Sequence, residues 1–224
     1  MCRILGVAAR EPFAIAPQLA AFAHICEHSS EYQGHGWGYS YWAEHGWVHY
    51  HDIRPIWEDP TAHDATSPLL IAHARSAFRD EGIAVENNMP FADERNVFVF
   101  NGELRGVRIK ANGRIGAEKI FNYVKRFNQG DMGAALAKGT DIIEKRSRYV
   151  RAMNIIMADA NGIYVSSSFG ENPEYFQMQV AQSEDRLTIC SSPLRQGDAH
   201  AEQGWADTDW TPFPNHHMQS FQRW

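Results

Sequence analysis

The order of apolar segments along this chain predicts an α+β fold with an antiparallel sheet core, and three features carry that reading. Short apolar runs bounded by Gly, Pro or polar clusters recur in both halves of the chain, as expected of strands buried in a sheet. Two amphipathic segments stand back to back in the middle, at roughly 116–128 and 131–146; strands, then helices, then strands favour α+β over an alternating parallel sheet. No repeat, low-complexity stretch or linker divides the 224 residues, so a single domain over 2–224 is expected.

The elements follow in order. Residues 3–9 (Arg-Ile-Leu-Gly-Val-Ala-Ala) read as a buried strand beginning almost at the N-terminus. A helix is predicted over about 15–28, with Leu19, Phe22, Ala23 and Ile25-Cys26 on one face and Pro17 near the first turn, where a missing N–H costs little. Tyr39-Ser40-Tyr41-Trp42 and Trp47-Val48-His49-Tyr50 form a hairpin around Glu44-His45-Gly46. Residues 52–68 hold three prolines and little periodicity, which predicts a loop or short helical excursion. Leu69-Leu70-Ile71-Ala72 and Val97-Phe98-Val99-Phe100 are compact strands. In the first central helix Ile120, Tyr123, Val124 and Phe127 make the apolar face; in the second Met132, Ala135, Leu136, Ile142 and Ile143 do. Strands resume at about 152–158, 162–168, 175–182 and 186–190, and the Trp-, Pro- and His-rich tail from Gly197 has no clear period.

Composition narrows the function classes. A formal charge of −6 with no like-charge block argues against electrostatic binding to nucleic acid or an anionic membrane. No apolar run approaches the ~20 residues of a membrane span, and the start lacks a signal-peptide pattern. Three widely spaced cysteines, Cys2, Cys26 and Cys190, suggest neither a disulfide framework nor a zinc ribbon, and a cytoplasmic location is expected. Eleven histidines include His49-x-His51 and His216-His217, but neither pair has a companion at a recognised ligand spacing, so no metal is expected. No phosphate loop or dinucleotide fingerprint implies a cofactor. The seven tryptophans, Trp205, Trp210 and Trp224 among them, read as packing and interface anchors compatible with a homo-oligomer.

Cys2 has a particular chemical capacity. Its small side chain permits removal of Met1, which leaves an α-amine on the residue that carries the thiol. With a reference pKa near ~7.7–8.0, that amine is a base at neutral pH, so one residue supplies nucleophile and base. A thiol so activated forms a thioester with an amide carbonyl and expels ammonia. Taken alone, Cys2 is equally a small apolar residue at a chain end.

Further motifs follow in order: Gly36-Trp37-Gly38; Ile71-Ala72-His73-Ala74-Arg75-Ser76-Ala77; Glu86-Asn87-Asn88-Met89-Pro90-Phe91; and Phe98-Val99-Phe100-Asn101-Gly102-Glu103-Leu104. A terminal Met-Cys-Arg, a strand ending in His-x-Arg, an Asn-x-Pro-Phe element and a strand ending in Asn-Gly together resemble the class II glutamine amidotransferases. Gly36-Trp37-Gly38 is similar to the Asp-Gly-Trp-Gly element of that family's small stand-alone members, which include the amidohydrolase of ergothioneine biosynthesis. The likeness covers about residues 2–125 and continues loosely through Ser191-Ser192-Pro193-Leu194 and Trp210-Thr211-Pro212-Phe213-Pro214.

This resemblance implies the four-layer α/β/β/α sandwich of the N-terminal-nucleophile hydrolases, with Met1 removed. It implies Cys2 as nucleophile and Asn101-Gly102 as oxyanion hole, a side-chain amide and a backbone N–H facing the oxygen that becomes negative. Asn-Gly is also the strongest short hairpin signal, but Glu103-Leu104-Arg105-Gly106-Val107 does not alternate as a return strand. Arg75 offers a planar fork suited to a substrate carboxylate. His73, Ser76 and Asn88 complete the substrate-binding set, with His73 open to a purely structural reading and Asn88 and Phe91 shaping the loop behind the site. The implied activity is hydrolysis of a glutamine or γ-glutamyl side-chain amide through a Cys2 thioester, without cofactor. A small-molecule amide is thus the partner, and any transfer of ammonia requires a synthase on a separate chain. Two alternatives remain: an amide hydrolase of this fold acting on a non-glutamine substrate, and a degenerate binding or regulatory subunit.

The sequence departs from the family at three positions. Phe100 stands where His usually precedes Asn-Gly, and Phe78 where Thr is common. Ile115-Gly116-Ala117-Glu118 aligns with a Thr-Asp-[Ser/Thr]-Glu run whose Asp binds the α-amine of glutamine, which leaves Gly116 in place of that carboxylate. Free glutamine is therefore a doubtful substrate unless Asp93, Glu94 or Glu103 supplies the charge.

Overall fold

The computed structural model describes residues 1–77, 79, 81–194 and 209–223; Phe78, Trp205 and Trp224 lie outside the described residues. Among the described residues twelve strands form two antiparallel sheets. The larger has the order β11 (Trp210–Pro212), β9 (Gln179–Gln182), β10 (Arg186–Cys190), β1 (Arg3–Ala14), β4 (Thr66–Ala74), β2 (Trp37–Ala43), β3 (Gly46–Asp52). The smaller runs β12 (His217–Gln222), β8 (Gly162–Ser167), β7 (Tyr149–Asp159), β6 (Val97–Arg105), β5 (Phe91–Ala92).

Strand alternation sends successive residues to opposite faces, and the cores obey it. Leu5, Val7, Leu70 and Ala72 pack with Leu19, Phe22 and Cys26 of α1 (Ile15–Glu27) on the outer face of the larger sheet. Ile4, Ala8, Leu69 and Ile71 face the second sheet, in a core that includes Val97, Val99, Ile156 and Val165. That core continues through the smaller sheet to Ile120, Phe121, Leu136 and Ile143 of α2 (Gly116–Lys125) and α3 (Met132–Lys145). The layers are therefore helix, sheet, sheet, helix pair, as the resemblance implies.

β1 is buried on both faces from Arg3 to Ala9, which explains why its sequence is a run of apolar residues and not an alternation. The C-terminal segment joins the layers: β11 lies on the edge of one sheet, β12 on the edge of the other, and Phe213 between them is fully buried.

Several boundaries differ from expectation. β1 continues five residues past Ala9, and a register shift between Ala8 and Phe13 absorbs an irregularity opposite β4. The strand predicted over 175–182 is split: Pro173 opens a short helix, α4 (Pro173–Phe176), and pairing begins at Gln179. β6 does not end in Asn-Gly but runs on to Arg105, paired throughout with β7. β11 and β12 had no clear period because each is a short edge strand with half-exposed positions.

Phe98 is fully buried and stacks on Phe121 of α2, ring centroids 5.3 Å apart. Phe98→Ala is expected to lower unfolding stability by about 3–5 kcal/mol. Urea melts checked by near-UV circular dichroism measure it, and a loss below about 1 kcal/mol would mean that the helix layer is not packed on β6.

Candidate active site

The strand registers bring the motif residues to one end of the space between the sheets. β1 pairs with β4 with Ile4 opposite His73 and Arg3 opposite Ala74, so one more pair sets Cys2 opposite Arg75. Cys2 extends the face of β1 that carries Ile4 and Ala8. Its Sγ donates to the Ser76 carbonyl at 3.7 Å. Of the three cysteines, Cys26 and Cys190 are buried, and Cys2 alone is partly exposed. Burial raises the Cys2 thiol pKa, opposed by the nearby terminal ammonium and the Arg75 guanidinium. Burial pushes that of Cys190 up to about 12, which leaves it inert at neutral pH.

The end of β1 is clamped from both sides. Ile4 N donates to Ser191 Oγ at 2.9 Å and its carbonyl accepts from Ser191 N at 3.0 Å. Arg3 is buried, donates to Ser29 Oγ at 3.2 Å and Ser192 Oγ at 3.3 Å, and lies 4.0 Å from the Tyr175 ring centroid. The Met-Cys-Arg and Ser-Ser motifs thus meet in space. Met1 is held in turn: its ammonium pairs with Glu31, and its carbonyl accepts from Gln33 Nε2 at 2.7 Å and from the Tyr175 hydroxyl.

Arg75 is buried, and its guanidinium donates to Asn88 Oδ1 at 3.3 Å. Asn88 Nδ2 donates to the Asp52 carbonyl at 2.8 Å, so Asn88 orients the fork. The backbone of Arg75 is fixed by a 2.9 Å bond from its N–H to the Gly36 carbonyl. Here the Gly-Trp-Gly motif acquires a reason. Gly36 has φ +102°, and a Cβ there would lie 2.0 Å from Asn88 Nδ2, so only glycine lets the loop carrying Asn88 close on β2.

His73 and Asn101 face each other's sheets in the interior. His73 is fully buried, and burial together with the Arg75 charge pushes its pKa down to about 3. Neither ring nitrogen has a hydrogen-bond partner of normal geometry, although the nearby Phe100 carbonyl weakly opposes the shift. Asn101 sits mid-strand on β6, 1% exposed, and neither its Oδ1 nor its Nδ2 has a partner. Its neighbour across the ladder, Asn154, is satisfied by Ser167 and by the Phe176 carbonyl. The Asn-Gly pair is therefore no hairpin turn. Gly102 is required because a Cβ would lie 2.1 Å from the Ala152 carbonyl.

The charges available for a substrate amine are also placed. Gly116 opens α2 exposed, with nothing within 4 Å of where a Cβ would be. Asp93 is engaged with Lys125 at 2.8 Å and with Asn96, and Glu103 with Arg105 and Arg151. Among the described residues no three His, Cys, Asp or Glu side chains converge as a metal site. His49 bonds Ser40 and His51 bonds the Pro90 carbonyl. Two clefts flank the cluster: one of about 410 Å³ shares Asn88 with it, and one of about 610 Å³ shares Arg3, Glu31 and Tyr175. Glu31, Gln33 and Tyr175 carried no motif; only the fold brings residues 1, 31–33 and 175 together. No helix among the described residues is long and apolar enough to cross a membrane.

No family model and no curated protein matches the sequence. Solved structures do match the fold. A glutamine aminotransferase class-II domain protein from Silicibacter pomeroyi superposes with a TM-score of 0.63 at 17% identity, covering 99% of this chain and 98% of that one. A predicted glutamine amidotransferase from Pseudomonas aeruginosa gives 0.57 at 16% identity, covering 99% and 97%. The glutamine phosphoribosylpyrophosphate amidotransferase of B. subtilis gives 0.66 at 13% identity, and this chain covers 49% of it. The fold is thus that of the class II glutamine amidotransferase domains.

The depressed pKa of His73 makes stability pH-dependent. Its imidazole is neutral when folded, with a pKa of about 3 against a reference of 6.5, so the unfolded chain binds the extra proton between those values. The contribution is complete above about pH 6.5 and is lost as pH falls toward 3, by up to about 1.4 kcal/mol per pH unit. His73→Leu is expected to flatten this part of the stability curve between pH 6.5 and 4.5 in urea titrations; a parallel curve would show that His73 is not the titrating group.

Proposed function

We propose that this chain is an N-terminal cysteine amidohydrolase that cleaves a side-chain amide of the glutamine or γ-glutamyl type. The observation that carries this reading is Asn101: a buried side-chain amide with both polar atoms unpartnered, on the inner face of one sheet at the end where Cys2 and Arg75 meet on the other. A buried polar group without a partner costs about 1–3 kcal/mol, so its persistence supports a role in receiving a ligand oxygen.

In the proposed reaction Met1 has been removed and Cys2 carries a free α-amine. The amine takes the thiol proton as Sγ attacks the amide carbon, which offsets the rise in thiol pKa that burial causes. The carbonyl oxygen, now negative, is received by Asn101 Nδ2 and the Gly102 N–H. The amine returns the proton to the leaving nitrogen, ammonia departs, and water releases the acid from the thioester by the same route. Arg75, braced by Asn88, holds the substrate carboxylate in a charge-assisted fork. Ser76 contributes its backbone carbonyl as a rest for the thiol, and neutral His73, within electrostatic reach of Arg75, adds no second positive charge.

Gly116 bears on specificity. Without a carboxylate at the start of α2 the substrate amine is not read there, and Asp93 and Glu103 are already engaged. A γ-linked amide whose amine is blocked or bound elsewhere fits better than free glutamine.

Intact-mass spectrometry of protein from its native host is expected to show loss of Met1, and 6-diazo-5-oxo-norleucine to add to Cys2. Ammonia release from γ-glutamyl amides should vanish in Cys2→Ala. Asn101→Ala should lower kcat by about 10²–10³-fold with little change in KM, whereas Arg75→Ala should act chiefly on KM. Hydrolysis unchanged in Cys2→Ala would remove the proposed nucleophile.

A further inference from the structure

Met1 fills a slot that is built like a ligand site. Its ammonium pairs with Glu31, and its carbonyl oxygen receives two donors, Gln33 Nε2 at 2.7 Å and the Tyr175 hydroxyl. Its side chain packs on the apolar cluster of Ala152, Phe169, Tyr175 and Phe176. The walls are fixed independently of Met1. Gln33 is fully buried and also donates to the Glu31 carbonyl at 2.7 Å. Tyr175 is held under the Arg3 guanidinium, 4.0 Å from its ring centroid. Glu31 keeps a second partner, Arg151, at 3.8 Å.

Once Met1 is gone, Gln33 Nε2 keeps the Glu31 carbonyl at 2.7 Å and the Tyr175 hydroxyl at 3.1 Å, and the Tyr175 hydroxyl, which donated to the Met1 carbonyl, lines the space beside Glu31. The cleft of about 610 Å³ shares Glu31, Tyr175 and Arg3 with this slot, which gives a small molecule a route in. Glu31 and Arg75 also bring opposite charges to bear on Cys2.

We propose that the slot vacated by Met1 binds an α-aminoacyl group, a primary ammonium next to a carbonyl with an apolar side chain, and that Glu31 reads the ammonium. The proposal rests on the reading above, in which Met1 is removed, and extends it. It assigns to Glu31, on the loop after α1, the reading of an amine that the start of α2 lacks a carboxylate to perform. The class of ligand is an amino-acid amide or an equivalent aminoacyl group.

The test uses a chain freed from a fusion partner by cleavage directly before residue 2 and carrying Cys2→Ala, so that binding is measured without turnover. L-methioninamide and N-acetyl-L-methioninamide are titrated by calorimetry. The expected result is saturable binding of L-methioninamide, with affinity at least about tenfold weaker for the N-acetyl compound. Glu31→Gln should weaken L-methioninamide about tenfold or more and leave the N-acetyl compound unchanged. The chain that retains Met1 should bind neither. Tyr175→Phe, which keeps the ring and removes the hydroxyl, should weaken both compounds alike and serves if Glu31→Gln fails to fold. Absence of saturable binding overturns the proposal. So do equal affinities for the two compounds, the outcome if Glu31 pairs instead with the new ammonium of residue 2. Failure of the hydrolytic reading shows separately, as ammonia release that survives Cys2→Ala.

Discussion

The placement of β1 in the middle of the seven-stranded sheet is the constraint on which the rest depends. Chain ends ordinarily fray, because few contacts hold them. Here the strand begins at Arg3 and is paired on both edges, with β10 on one side and β4 on the other. Both backbone groups of Ile4 are taken by Ser191, and Arg3 is tied to Ser29 and Ser192. A second residue attached to such a strand has almost no freedom. Register then does the rest: pairing that sets Ile4 opposite His73 also sets Cys2 opposite Arg75, and alternation points both to the gap between the sheets. The Cys2 thiol and the buried Arg75 guanidinium are neighbours because two strands are paired.

The same gap holds polar groups that a core built only for stability would not keep. His73 is buried neutral, and Asn101 is buried unpartnered beside an Asn154 that is fully bonded. The contrast between two asparagines in register on one face is informative. Asn154 ties β7 to α4 and is structural; Asn101 does nothing for the fold that an apolar residue of its size would not do better. Local disadvantages of this kind concentrate at functional sites. Gly102 is the complement, a residue dictated by the approach of the Ala152 carbonyl and so required by the fold itself.

Much of this was legible in the sequence, for identifiable reasons. Strands buried on both faces announce themselves as apolar runs, and the amphipathic faces of α2 and α3 matched their packing. Gly36, Arg75, Asn88, Asn101 and Gly102 were legible as an ordered set, each tied to a local backbone demand or an unusual side chain. Three kinds of feature were not. Edge strands such as β11 and β12 have little burial to impose a period. Pro173 turned a segment that looked extended into α4, because it suits the first turn of a helix. Glu31, Gln33 and Tyr175 converge on the N-terminus only through the fold, and nothing in their own segments separates them from ordinary surface or core residues.

Charge placement around Cys2 makes the final link between fold and chemistry. Burial alone would keep the thiol protonated; the terminal ammonium opposes it most, followed by the hydrogen bond with the Ser76 backbone and then by Arg75. The ammonium and Arg75 are both positive; Glu31 holds the first, and the second is fixed by its backbone bond to Gly36 and its side-chain brace on Asn88. A second cation here would favour the thiolate further. Burial prevents this by keeping His73 neutral. Glu31 acts on the thiol in the opposite direction, and its effect is tempered by the cations it pairs with, the Met1 ammonium and Arg151. The site is therefore polarised, with Arg75 and Glu31 acting on the Cys2 thiol with opposite sign.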